Sequence, residues 1–221
     1  MTYLQLLQAL HRESGIAGAA PGDVTGLSGI AAKMADWLAT AWVDIQTSRK
    51  WSFLLTEADV ALTVGQRDYD VVTGLSLPYV REFDTSFAGL LQPDNTPIGP
   101  VRWMPYAEFR GRYGMATPES GQPSSMALVA GSTLRLNTLP DEAYKLRLAY
   151  WQAAEKLVAS TDTPSLNEEE QKIIVWRALM YYAAHEGAAE IYGDAQAKYQ
   201  TLFSVLCQRY LPNITFGAPL V

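Results

Sequence analysis

Apolar positions follow a helical period at both ends of the chain and a two-residue period in the middle. Leu6, Leu7 and Leu10, with Tyr3 on the same face, predict a short helix over 2–13, stopped by Gly15 and Gly18. The small, Gly-rich stretch 17–29 reads as a loop. Met34, Leu38, Ala41, Trp42 and Ile45 then predict a long helix over 28–49, with Trp37 at the edge of the stripe and Asp36, Thr40 and Asp44 on its polar side. From 56 to 154 the period shortens. Val60, Leu62 and Val64 alternate with Ala61 and Thr63, and 67–72 predicts a second short strand after a turn at Gly65. The runs SMALVAG and STLRLN predict a hairpin turning at Ala130-Gly131. Tyr144, Leu146, Leu148 and Tyr150 face one way and Lys145 and Arg147 the other, which predicts a strand over 144–151. A short helix is expected over 105–113, with Pro105 in its first turn.

Helical spacing returns near residue 164. Ser165 and Glu168 have the spacing of a capping box, and Glu168, Glu169 and Glu170 would then suit the positive end of the helix dipole. Ile173, Trp176, Met180, Ala183 and Gly187 continue as a buried stripe. Gly193-Asp194 reads as a break. Ala195, Tyr199, Leu202, Phe203, Leu206 and Tyr210 form the stripe of a last helix that Pro212 ends. The fold class expected is α+β: a helical bundle from the N- and C-terminal segments with an inserted antiparallel β-rich section. The expected organisation is a helical core of 1–55 and 155–211, a β-rich section of 56–154, and an extended C-terminal tail of 212–221.

Composition narrows the function. The formal net charge of -6 gives no counterion-release grip on nucleic acid, but it would let DNA slide past an acidic wall. The single cysteine, Cys207, rules out a disulfide within the chain and suits assembly in a reducing cytoplasm. The first residues lack a basic start followed by a long apolar run, so no signal peptide is expected, and no stretch is apolar for long enough to predict a membrane span.

Candidate chemistry is sparse. His11 and His185 stand without Cys, Asp or Glu at metal-ligand spacing, and no second His follows His185-Glu186 at the spacing of a zinc protease. No Gly-Lys-Ser/Thr and no Gly-x-Ser-x-Gly occurs, and the glycines of the first loop follow a helix and not the strand a nucleotide fingerprint requires. Cys207 reads as a small buried hydrophobe. Asp68, Asp70, Glu82 and Asp84 would make a glycosidase-like pair only if folding brought two of them together. Trp37, Trp42 and Trp176 read as core. Trp51 and Phe53 are expected to cover the end of the long helix where it meets the β section. Trp103, Tyr106, Phe109 and Tyr113 with Arg102, Arg110 and Arg112 have the composition of a base-stacking patch, although a subunit contact suits the acidic net charge better.

Several short motifs, taken in order, resemble a known family. They are Trp42-x-Asp44-Ile45-Gln46 and Trp51-x-Phe53, then Val64-Gly65 leading to Tyr69, then Leu134-x-Leu136 and Pro140-Asp141. Tyr144-x-Leu146-x-Leu148-x-Tyr150 and Asp162-x-Pro164-x-Leu166, ahead of a long helix, complete the series. The chain resembles the head-to-tail adaptors of tailed bacteriophages. That resemblance implies a structural virion protein without cofactor or catalytic residues. It implies a ring, of twelve copies in the family pattern, below the portal protein. The ring would extend the DNA channel without specific DNA binding and give tail or nozzle proteins a docking platform. The location implied is the head-tail junction of the virion, after assembly in the host bacterial cytoplasm and without a membrane. Within such a ring Pro212, Asn213, Ile214, Phe216 and Leu220 of the largely apolar tail are the expected partner interface. The rival readings are a carboxylate-dependent cell-wall hydrolase associated with a phage tail, and a cytosolic adaptor module unrelated to phages. Some short-tailed-phage relatives are linked to wall hydrolysis, but no acid/base pair in this sequence carries that over.

Overall fold

In chain order the elements are α1 (Tyr3–Glu13), α2 (Gly29–Ser48), β1 (Leu55–Ala61), β2 (Asp68–Asp70), β3 (Val80–Leu91), β4 (Pro97–Pro100), β5 (Arg102–Trp103), α3 (Tyr106–Tyr113), β6 (Ser125–Val129), β7 (Thr133–Leu136), β8 (Lys145–Gln152), α4 (Lys172–Glu186) and α5 (Ala189–Tyr210). They come from a computed structural model that describes residues 1–77 and 79–211. The chain divides into two compact units: a helical one, Met1–Phe53 with the described residues from Ala154 onward, and a β-rich one, Leu54–Ala153. The protein is therefore α+β, with helices at both ends of the sequence and strands between them.

In the helical unit α4 packs against α1, α2 and α5, and α1 also meets α2. Each helix has its reason in the sequence. The Thr2 hydroxyl accepts from Gln5 N–H and the Gln5 side chain accepts from Thr2 N–H, a complete capping box at the start of α1. The predicted stripe of α2, Met34, Leu38, Ala41, Trp42 and Ile45, is fully buried. Trp51 is fully buried in the same unit: its indole donates to Ile45 O at 2.6 Å and its ring meets Phe53 and Phe203.

The second helical half departs from expectation in three places. First, α4 begins at Lys172, not at Ser165. Residues 168–171 form tight turns held by bonds such as Glu170 N–H to Asn167 O, and Ser165 donates to Glu155 instead of capping. The triple glutamate therefore does not line a helix's first turn. Glu170 is buried and accepts from Arg209 at 2.5 Å and from Tyr210 at 2.8 Å, at the far end of α5. Second, α4 and α5 break at Gly187, which holds φ 68°, a left-handed conformation open to glycine at no side-chain cost; α5 then runs straight through Gly193. Third, α4 buries Ile173, Ile174, Val175, Ala178, Leu179, Met180, Tyr182 and Ala183, while Trp176 stays half-buried beneath the Lys198 ammonium, 4.3 Å from the ring centre, and Gly187 is exposed. A helix buried on so much of its circumference has no single apolar stripe to read.

The β-rich unit is two four-stranded sheets, ordered β1-β8-β3-β4 and β2-β7-β6-β5. All pairs are antiparallel except β5 with β6, which is parallel. The sheets share one core. Val60, Phe83, Leu90, Leu146, Leu148 and Tyr150 enter it from the first, and Tyr69, Met126, Leu134 and Leu136 from the second. The alternation read for 144–151 is what buries β8, the central strand between β1 and β3. The predicted hairpin joins β6 to β7, with Val129 opposite Thr133 and Ala130 and Gly131 both at positive φ. Each sheet also carries one two-pronged cross-strand ion pair. Asp59 faces Arg147 at 2.7 Å for both bonds, and Asp68 faces Arg135 at 2.6 and 2.8 Å. The first strand lies earlier than its alternation suggested. It ends at Ala61, and Val64 is exposed in the turn that Gly65 makes.

Candidate functional site

The five residues expected at a partner interface, Pro212, Asn213, Ile214, Phe216 and Leu220, lie outside the described residues. The other candidates have definite places. His185 sits on the exposed end of α4, its ring 5.4 Å from that of Trp37, with Lys33 at 2.8 Å and Glu186 at 3.0 Å. Cys207 is half-buried on α5. Among the described residues no cluster of His, Cys, Asp or Glu has the makings of a metal site. No described helix is long and apolar enough to cross a membrane.

Three of the four carboxylates that the sequence offers for an acid/base pair hold turns and strands together. Asp68 is occupied by Arg135 across the strands. Asp70 accepts from Val72 N–H and from both the N–H and hydroxyl of Thr73, closing the turn after β2; these bonds hold its carboxyl below the usual range. Asp84 accepts from the N–H and the hydroxyl of Ser86. Glu82 lines a cleft with Arg81 and apolar neighbours. A glycosidase acid has its affinity for protons raised by its surroundings, whereas Asp70 is shifted the other way.

The aromatic and arginine cluster does not form a stacking platform. Phe109 is buried under Tyr113 and Arg67, and Trp103, partly buried, leans on Phe83 at the edge of the sheet core. Arg102 and Arg112 converge on Glu108, at 3.5 and 3.0 Å. Base stacking needs exposed rings and cations left for phosphate; here Phe109 is buried, Trp103 and Tyr113 are partly buried, Tyr106 is the exposed ring of the four, and two of the cations are paired.

Two surfaces remain with the character of contact sites. One is α5, of whose length only Ala195 and Leu206 are fully buried, and which leaves Tyr192 and Val205 exposed. It is fastened along one side: Arg177 of α4 lies over the rings of Tyr181 and Tyr199 and donates to Asp44 of α2 at 3.0 Å, and the Tyr181 hydroxyl donates to the same carboxylate. The other is a cleft of about 550 Å³ inside the β-rich unit, walled by Val80, Phe83, Trp103, Tyr106, Leu77 and Leu128. Sequence reasoning missed it, because it is built from separate segments whose common signal is apolar character, shared with the buried core beside it.

A comparison with curated proteins finds no match to the chain. The family described as SU10 adaptor protein matches residues 1–214, so the match takes in both units and all of the described elements. A match over nearly the whole chain shows the family: this chain belongs to the SU10 adaptor protein family, the head-to-tail adaptors of bacteriophages.

Proposed function

We propose that the protein forms a ring below the portal at the head-tail junction, extends the DNA channel and offers tail proteins a docking platform. The family match over residues 1–214 is the observation that carries this reading. Three properties of the chain support it. The net charge of -6 suits a channel wall that must release DNA. The exposed length of α5 offers each copy a long surface for its neighbours. The segment 212–221, which bears no charged side chain, can bury apolar groups against the portal or an adjacent copy. Twelve copies is the ring expected, and the role needs no catalysis and no cofactor.

Electron microscopy of the purified chain, with and without portal-bearing heads, tests the reading. Ring density beneath the portal is the expected result. Heads that fill and retain DNA with no such density, in the presence of excess protein, overturn it. Catalysis is tested separately on a peptidoglycan zymogram, where clearing that vanishes in Glu82→Gln would restore the hydrolase.

A further inference from the structure

We propose that the free edge of β1 takes an extended segment of a different virion protein as an added strand, and that this segment alternates apolar residues with Lys or Arg. This deepens the docking-platform reading above and rests on it.

β1 is the outer strand of its sheet and pairs on one side only, with β8. The register runs without a shift from Leu55 opposite Trp151 to Ala61 opposite Lys145, and Leu62 continues it by donating its N–H to Tyr144 O at 2.8 Å. In an antiparallel ladder the bonded pairs fall on alternate residues. Thr56, Ala58 and Val60 therefore bond β8, and Leu55, Glu57, Asp59 and Ala61 turn their N–H and C=O outward. Those four residues are exposed, and their outward backbone groups have no hydrogen-bond partner among the described residues. The other sheet ends are blunted. β4 has a proline at each end and an irregular register beside it, β2 is three residues long and β5 two. A seven-residue edge with neither proline nor bulge is a template for a further strand.

The side chains of β1 choose the occupant. Glu57 and Asp59 share the exposed face, while Ala58 and Val60 face the core between the sheets. Arg147 of β8 gives both of its bonds to Asp59, and Glu57 has no ion-pair partner among the described residues. A strand that sets Lys or Arg beside these acids and apolar side chains beside Ala58 and Val60 extends the charge pairing and the core together. A second copy does not supply one. Two β1 strands side by side would bring Glu57 and Asp59 against like charges. β2 carries Asp68 and Asp70, and β4 carries no charge. β7 and β8, where Arg135, Lys145 and Arg147 alternate with leucines, already have a strand on each side. The occupant is therefore a different chain, which is what a docking platform receives.

The test adds to the full chain a synthetic peptide as long as β1 that alternates valine with lysine, or its counterpart with glutamate at the lysine positions, and follows amide hydrogen exchange by NMR. The lysine peptide in excess should slow the Glu57, Asp59 and Ala61 amides at least threefold and leave those of Thr56, Ala58 and Val60, already bonded to β8, as they are. The glutamate peptide should slow none of them. Glu57→Pro deletes one outward N–H and no bond to β8, so it should keep the far-UV circular dichroism and abolish the slowing at Asp59. Glu57→Lys keeps the whole backbone and should weaken the lysine peptide at least fivefold; it decides alone if the proline variant does not fold. Outward amides indifferent to the lysine peptide, protection elsewhere on the molecule, equal protection by the glutamate peptide, or a wild-type response in a folded variant each overturn the proposal. Outward amides already protected when copies assemble, before any peptide is added, give the edge to a second copy and overturn it as well. The ring seen by microscopy is a separate readout, so a ring that forms while the peptide fails removes the added strand and leaves the connector standing.

Discussion

The side-chain amide of Gln46 pairs with the backbone of Glu155 in both directions: Gln46 Nε2 donates to Glu155 O at 2.9 Å, and Glu155 N–H donates to Gln46 Oε1 at 3.0 Å. Gln46 lies fully buried on α2, and Glu155 is where the chain re-enters the helical unit after the β-rich one. A neighbouring bond, Trp42 Nε1 to the Glu155 carboxylate at 3.0 Å, fixes the same point. A glutamine is suited to this place because it offers one donor and one acceptor in a plane, as a strand's backbone would. Gln46→Met keeps the volume and removes both bonds. It should cost about 1–3 kcal/mol in urea unfolding, since two backbone groups then lose their partners. An unchanged midpoint would show that water replaces the amide.

Two tryptophans of the same sequence character should separate in the same assay. Trp42 is fully buried and stacks on Phe53, and Trp42→Ala should cost about 3–5 kcal/mol. Trp176 keeps part of its ring in water and holds Lys198 above it, so Trp176→Ala should cost about 1 kcal/mol. Equal losses would put both rings in one core, as helical spacing alone suggests.

That pair shows where the sequence is legible and where it is not. In α1, α2, β7 and most of β8 the apolar positions of the sequence period are the buried ones; β6 and Ala149 of β8 bury both faces and depart from it. The long β3 escaped because its register shifts between Phe83 and Ala88, which interrupts any two-residue alternation with Asp84, Thr85 and Ser86. Gly193 was a plausible helix break by composition, but only Gly187 takes the left-handed conformation that ends α4. The Ser165–Glu168 spacing of a capping box was matched by chance: its serine turns to Glu155, and the paired acid of the next turn, Glu170, serves α5. The cleft was illegible because no local pattern encodes the meeting of distant segments.

Alkaline solution should loosen the fold before general unfolding. Tyr3 is buried and donates to Ala35 O at 2.8 Å; burial, helped by Asp36, pushes its hydroxyl up to about 12. Burial likewise pushes Tyr144 up to about 12, with Asp141 accepting its proton at 2.9 Å. Both folded values exceed the unfolded value near 10, so their contribution is fully present below about pH 10 and is lost as pH rises through about 12. The urea midpoint should therefore fall across that window, and the fall should be shallower in Tyr3→Phe and Tyr144→Phe. A fall of the same slope in both variants would assign it to other groups.

The end of α5 should depend on one buried acid. Glu170 is 3% exposed, and it receives both Arg209 and Tyr210, the last residues of α5. The pair is asymmetric: the glutamate is enclosed and the arginine is half in water. Removing the acid therefore leaves a cation that water can still reach, and the cost stays below that of breaking a fully buried pair. Glu170→Ala should cost about 1–3 kcal/mol, and Glu170→Gln less, because its amide oxygen still accepts from Arg209 or Tyr210. The loss should be local. Amide exchange in the last two turns of α5 should speed up at least tenfold, while exchange in α1 and α2 stays as it is. If the whole helical unit exchanges faster, Glu170 belongs to the common core. If nothing changes, the turn that follows Asn167 is held without it.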